Sequence, residues 1–269
     1  MRAAWTLALD VPKRLARGRI AWVLVVVNAL AILGVAGGVG AGEHGLAFWG
    51  AELGLTLANL LGAVFGLALA SVLGVVTGLM LLADAATSAF APGAAECTLP
   101  KPVSRATVVI ARFLGAVLTA AAFATFVVGG AVLLARLRAG ELATSVLWAI
   151  PVSVFAFAVL HALGNVSGLA FRNALASALV GPVVWIVSGA TKGLSELSMS
   201  PAAGLKAIGH AAEIAHRVLP RAWDYPFLAH RLISGATDAR SEAELIANGL
   251  VWLGLSLGLA CLSVRRQDY

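Results

Sequence analysis

Six runs of apolar residues, each roughly 18–28 long and so each long enough to cross a bilayer, are strung along this chain, with its charged residues gathered mostly in the gaps between them. Only 12% of the residues are charged, about half the share of a soluble domain. A chain so apolar cannot hide that surface in a water-soluble core. The runs lack the period-two alternation of barrel strands, so the spans are expected to be helices. The fold class that follows is an all-α membrane protein with six transmembrane helices in one domain, 1–269.

The spans are expected at Ile20–Gly40, Leu53–Leu82, Thr107–Ala135, Leu142–Ala170, Ala174–Ala190 and Leu245–Val264. Nineteen residues precede the first run and Asn28 interrupts it, so it reads as a retained span rather than a signal peptide. Span 2 carries Gly54, Ala58, Gly62, Gly66, Ala70, Gly74 and Gly78, small residues at every fourth position after Gly50. Such a stripe lets helix backbones approach closely. Pro151 is expected to kink span 4.

Six spans put both termini on one side. Arg2, Lys13, Arg14, Arg17, Arg19, Lys101, Arg105, Arg112, Arg172, Arg265 and Arg266 lie on the terminal side, against Arg136 and Arg138 in the short loops opposite. By the positive-inside rule the termini and the break at 85–106 face the cytoplasm. The net charge of +6 therefore serves orientation and does not indicate a nucleic-acid partner. Cys97 and Cys261 fall on or near that side and are expected to be reduced.

Residues 1–19 read as an amphipathic segment on the membrane surface. Trp5, Ala8, Leu9, Val11 and Leu15 share one face, and Lys13, Arg14, Arg17 and Arg19 the other. Pro12 suggests two short pieces with a bend. The one long hydrophilic stretch, 191–244, holds a helix opened by Ser200 as N-cap and Pro201. Leu205, Ile208, Ala212, Ala215 and Leu219 are expected on one face of it, and Pro220 ends it. Trp223, Tyr225 and Phe227 suit a membrane–water boundary. Ser241 and Glu244 are spaced as a capping box for span 6.

No phosphate-binding loop G-x-x-x-x-G-K-[ST] is present, so the chain is not expected to hydrolyse ATP or to carry a cofactor. His210, Glu213 and His216 share a helical face with Lys206 and Arg217, a solvated polar face rather than a metal site. His161 and Asn165, one turn apart in span 4, either hydrogen-bond a neighbouring helix or line a transport route. No Ser/His/Asp set marks a protease, and no catalytic residue is assigned.

The cytoplasmic break places Phe90, Glu96 and Leu99 beside Pro100-Lys101-Pro102-Val103-Ser104-Arg105. Apolar side chains on a stiff basic segment suggest insertion into a groove of a cytoplasmic partner. The run Leu99 to Arg105, continuing into Val108-Val109-Ile110-Ala111-Arg112-Phe113-Leu114-Gly115, resembles the permease subunits of ABC-2-type transporters, in which a Lys/Arg-Pro-Val-Ser-Arg stretch leads into span 3. The basic N-terminal segment, the prolyl segment at Leu219-Pro220 and the tail Val264-Arg265-Arg266-Gln267-Asp268 are also similar to that family, which often has Lys where this chain has Arg112.

The resemblance implies an N-terminal elbow helix and a coupling helix at 85–106, with Phe90, Glu96, Leu99, Lys101, Pro102 and Arg105 at the ATPase interface. It implies a second permease, identical or related, and a separate subunit that binds ATP and Mg. The expected activity is export across the cell membrane. Two other readings fit the residues: an ion-coupled transporter with His161 in the pathway, and a non-transporting scaffold docking an extracytoplasmic partner through 191–244.

Overall fold

The structure is a computed structural model. It describes residues 2–17, 39–42, 45–48, 51–52, 82–90, 104–139, 144–200 and 202–265, together with Val23, Val26 and Leu79. Spans 1 and 2 and the glycine stripe lie outside the described residues, apart from a few positions.

Among the described residues the chain is helical except for a small three-stranded antiparallel meander, β1 (Val39–Gly42), β2 (Gly45–Phe48) and β3 (Ala51–Glu52). It occupies the end of the first expected span and the loop after it, where helix and loop were expected. Gly42 pairs with Gly45 across the first turn. The glycines there weaken helix, and the meander gives the backbone groups partners that a bare loop lacks.

The helices are α1 (Arg2–Arg17), the short α2 (Asp84–Thr87), α3 (Arg105–Ala139), α4 (Ala149–Phe171), α5 (Ala174–Ser195), α6 (Ala203–Val218), α7 (Tyr225–Ser234) and α8 (Ala239–Arg265). Four stretches, Arg105–Leu133, Thr144–Phe171, Ala174–Met199 and Ala239–Arg265, are long and apolar enough to cross a membrane. They correspond to spans 3 to 6 and mark a membrane-embedded, multi-pass protein. In α4, 61% of the apolar window is buried, against 22–28% in the other three, so α4 is the central helix and the others surround it.

Several local expectations are corrected. Pro12 lies inside one continuous α1. A proline lacks the N–H that would bond the carbonyl four residues back, here that of Ala8, and this carbonyl lies against Gly115 of α3, where a Cβ would collide with it. Pro151 sits in the first turn of α4, where its missing N–H is harmless. A 3-10 turn at Thr144–Trp148 precedes it, so no kink is required there. Arg136, Leu137 and Arg138 belong to the last turns of α3 rather than to a loop.

The start of α3 explains the serine of the Pro-Val-Ser-Arg run. Ser104 Oγ accepts the backbone N–H of Thr107 at 3.1 Å, and the Ser104 carbonyl accepts from Val108, an N-cap. Helix α5 is capped likewise by Asn173, whose side chain accepts from Leu175 N–H at 2.8 Å. Helices α4 and α5 pack closely through Gly164 and Gly168. A Cβ on either would press into Ser177, coming to 2.6 Å of its carbonyl oxygen from position 164. Ser167 Oγ donates to the Ala176 carbonyl across the same contact. Among the described helices, small residues thus permit close approach at Gly164 and Gly168 in span 4, as at Gly115 in span 3.

Candidate functional site

One end of the bundle gathers the segments expected at the cytoplasmic face. Ala89 and Phe90, Val108 and Val109 of α3, Leu169 of α4, and Ala260 and Val264 of α8 form one buried cluster. Arg105 Nη1 donates to the Val264 carbonyl oxygen at 3.4 Å. Phe90 is 6% exposed. It is an internal anchor of the break, not the water-exposed contact expected of it, because the 3-10 turn Ser88–Phe90 folds it onto α3, α4 and α8. Glu96, Leu99, Lys101 and Pro102 lie outside the described residues.

Helix α1 is fastened to the same region of α3. Ala8 and Val11 are buried, while Trp5 and Leu9 face outward. Asp10 lies half-exposed between two cations: its carboxylate meets Arg14 on α1 at 2.8 Å and Arg112 on α3 at 2.9 Å. Arg112 is 1% exposed. A guanidinium so far from water is tolerated only with an anionic partner, and α1 supplies it.

The polar groups of span 4 sit at the centre. His161 is 1% exposed and Asn165 is fully buried. The His161 ring stacks on Phe157 at 5.1 Å and on Phe113 of α3 at 6.0 Å between centroids. Among the described residues, His161 Nε2, both polar atoms of the Asn165 side chain and the hydroxyls of Ser153 and Ser177 have no hydrogen-bond partner. Ser153, His161 and Asn165 recur at multiples of four along α4, so they form one polar stripe on the central helix. Leaving such groups unsatisfied costs about 1–3 kcal/mol each.

The opposite end holds a polar network that sequence reasoning missed. Helix α6 runs back along α5: Gly209 lies against Ser198, and the Thr191 hydroxyl lies 3.3 Å from His216 Nδ1. His216 Nε2 is 3.0 Å from the Asp224 carboxylate, which also meets Arg221 at 2.9 Å. The loop backbone is held by side chains of neighbouring helices. Trp223 N–H donates to Ser188 Oγ, and Arg221 N–H to Asn248 Oδ1. Asn248 Nδ2 donates to the carbonyls of Arg217 and Leu219, and Trp252 Nε1 to that of Val218. Burial pushes the Asp224 carboxyl up, but the hydrogen bond and charge of His216 and the charges of Arg221 and Lys192 outweigh it and hold it below its ordinary value.

His216 was expected on a solvated face with His210 and Glu213. Glu213 does pair with Arg217 at 2.7 Å and lies 3.7 Å from His210. A three-residue step falls about 60° short of a full turn, so His216 rotates onto the packed side and is buried. The packed face is Gly209, Ala212 and His216, while Leu205 and Ile208 are exposed. The cap also moves: Ser200 ends the 3-10 turn Glu196–Met199, and Ala202 is the N-cap. Tyr225 is fully buried, and Trp223 lies against Trp185 with the rings tilted and their centroids 4.4 Å apart, so of the three boundary aromatics only Phe227 is exposed. Span 6 starts earlier than its expected box, at Ala239, with Glu242 accepting the Asp238 N–H. Among the described residues no group of three or more His, Cys, Asp or Glu is placed to hold a metal ion.

No protein-family model matches the chain, and no curated protein matches it.

Proposed function

We propose that this chain is the membrane permease subunit of an ABC-2-type exporter, driven by ATP hydrolysis on a separate subunit. The observation that carries the reading is the gathering, at one end of the bundle, of α1, the turn at Phe90, the Ser104-capped start of α3 and the end of α8. The segment from Leu99 to Arg105 that resembles the family's coupling region leads directly into that end. An ATPase pressing on 91–103 would move α3 and, through Arg112 and Asp10, α1 with it. In this reading that end and both termini are cytoplasmic, residues 191–244 are extracytoplasmic, and two permeases work together in the cell membrane. The cargo route runs beside the stripe Ser153, His161 and Asn165, whose polar atoms acquire partners when α3 and α4 separate.

The test is co-purification. The tagged chain carries with it a separately encoded protein having a phosphate-binding loop, and Leu99→Asp abolishes that association without preventing membrane insertion. Association that survives Leu99→Asp and Lys101→Glu together overturns the coupling assignment. A second reading, an ion-coupled transporter working alone, is favoured by one observation, the buried Nε2 of His161, which has no hydrogen-bond partner among the described residues. It requires gradient-driven flux in vesicles that contain no ATPase.

A further inference from the structure

Helix α6 is divided around its circumference into three faces. Gly209, Ala212 and His216 pack inward. Lys206, His210, Glu213 and Arg217 fall within an arc of about 60° at 100° per residue and lie toward solvent. Ile208, Ile214 and Val218 occupy the remaining side, exposed by 51%, 65% and 65%. At 16 residues, α6 is about 24 Å long, too short to cross a bilayer core of about 30 Å.

Its position fixes what covers the apolar side. Helix α6 runs antiparallel to the end of α5, with His216 beside Thr191 and Trp223 beside Ser188. Its last carbonyls receive hydrogen bonds from Asn248 and Trp252, both inside the apolar helix α8. The end of α6 thus lies beside two candidate membrane helices. Helix α5, against which α6 packs, also carries exposed apolar side chains at Ile186, Val187 and Leu194. Side chains satisfy the end carbonyls of α6 and the N–H groups of Arg221 and Trp223, which is what a chain dipping into lipid requires.

We propose that α6 is an interfacial helix, half-sunk in the bilayer at this end of the bundle, with Ile208, Ile214 and Val218 among the acyl chains and Lys206, His210, Glu213 and Arg217 in the headgroup layer and water. The occupant of the apolar face is lipid rather than a second copy or an extracytoplasmic partner. The segregation of charge to one flank is the pattern of helices that lie in a membrane surface. The inference rests on the chain spanning a membrane and not on the permease reading, so either can fail alone.

The test uses the full chain in phospholipid nanodiscs with Cys97 and Cys261 replaced by alanine. Single nitroxide labels are placed at 206, 208, 210, 214 and 218. Collision rates are measured with oxygen, which partitions into lipid, and with a water-soluble nickel chelate. The expected result is that labels at 208, 214 and 218 are at least threefold more accessible to oxygen than to the chelate, relative to 206 and 210. All five side chains are exposed, so labelling leaves the core intact; a label that alters the elution of the chain is moved to the exposed Ala211. Equal chelate access at all five positions overturns the proposal. So does shielding of 208, 214 and 218 from both reagents with dipolar coupling between labels on two chains, which would place a second copy on this face.

Discussion

The Asp10 carboxylate on the N-terminal helix lies 2.9 Å from the Arg112 guanidinium buried in α3. It joins the N-terminal helix to a helix long and apolar enough to cross a membrane. Replacing Asp10 by alanine removes a carboxylate from beside this buried cation. The cost is set at about 3 kcal/mol by what breaking buried pairs costs elsewhere, reduced here because Asp10 is half-exposed. Asp10→Ala is expected to lower the thermal midpoint of the purified chain by several degrees, and Arg14→Ala to leave it within a degree or two, since Arg14 is exposed. Arg112→Met in the Asp10→Ala background should recover much of the loss. Differential scanning fluorimetry of the four chains checks this.

Gly115 and Gly129 provide a paired comparison within one helix. A Cβ at 115 would meet the Ala8 carbonyl and come to 2.9 Å of Val11 Cγ2, whereas one at 129 meets nothing within 4 Å. Gly115→Ala should displace α1 and raise its protease sensitivity. Gly129→Ala should be neutral or stabilising by up to about 1 kcal/mol. Limited proteolysis of the N-terminal segment separates the two.

Asp224 gives a pH dependence with a defined sign. Its carboxyl is held below the ordinary carboxylate value by His216, Arg221 and Lys192 in spite of burial. A depressed carboxyl contributes stability that is complete above its unfolded value, about 3.9, and is lost as the pH falls through the lower folded value. Melting curves from pH 7 to 3 should therefore fall on the acid side for the native chain. Asp224→Asn should start lower at pH 7 and lose part of that acid limb.

The buried stripe of α4 separates structure from function. Both polar atoms of the Asn165 side chain lack partners, so an apolar residue of similar volume removes a penalty rather than a bond. Asn165→Leu is expected to keep or raise thermal stability while abolishing transport. A fall in stability together with retained transport would mean that Asn165 has a packing role only.

Phe90 distinguishes a packed side chain from an exposed docking one. As a buried side chain among Val108, Leu169 and Val264, Phe90→Ala is expected to cost about 3–5 kcal/mol, read as a lower melting point. An exposed docking residue would show almost no change in the isolated chain.

Spans 3 to 6 were legible because lipid demands long apolar helices, and the run lengths of 107–135, 142–170, 174–190 and 245–264 report this directly. Their ends shifted by a few residues where local chemistry intervened, as at Ser104 and Ala239. The polar network was not legible. Ser188, His216, Asp224 and Asn248 come from separate elements, with partners as far apart in the chain as Trp223 and Ser188, and no spacing rule joins them. The Asp10–Arg112 pair was equally hidden, since a single acid in a basic segment carries no periodic signal. Phe90 was misjudged because an apolar residue within a polar break reads as exposed unless the fold of the break is known.

The most direct test of the central claim is flux in proteoliposomes made from the chain with and without the separately encoded ATPase that the proposed function requires. The account predicts no ATP hydrolysis and no transport by the chain alone, with both appearing when the partner is added and both lost with Leu99→Asp. Transport by the chain alone, driven by a proton or sodium gradient, would contradict it.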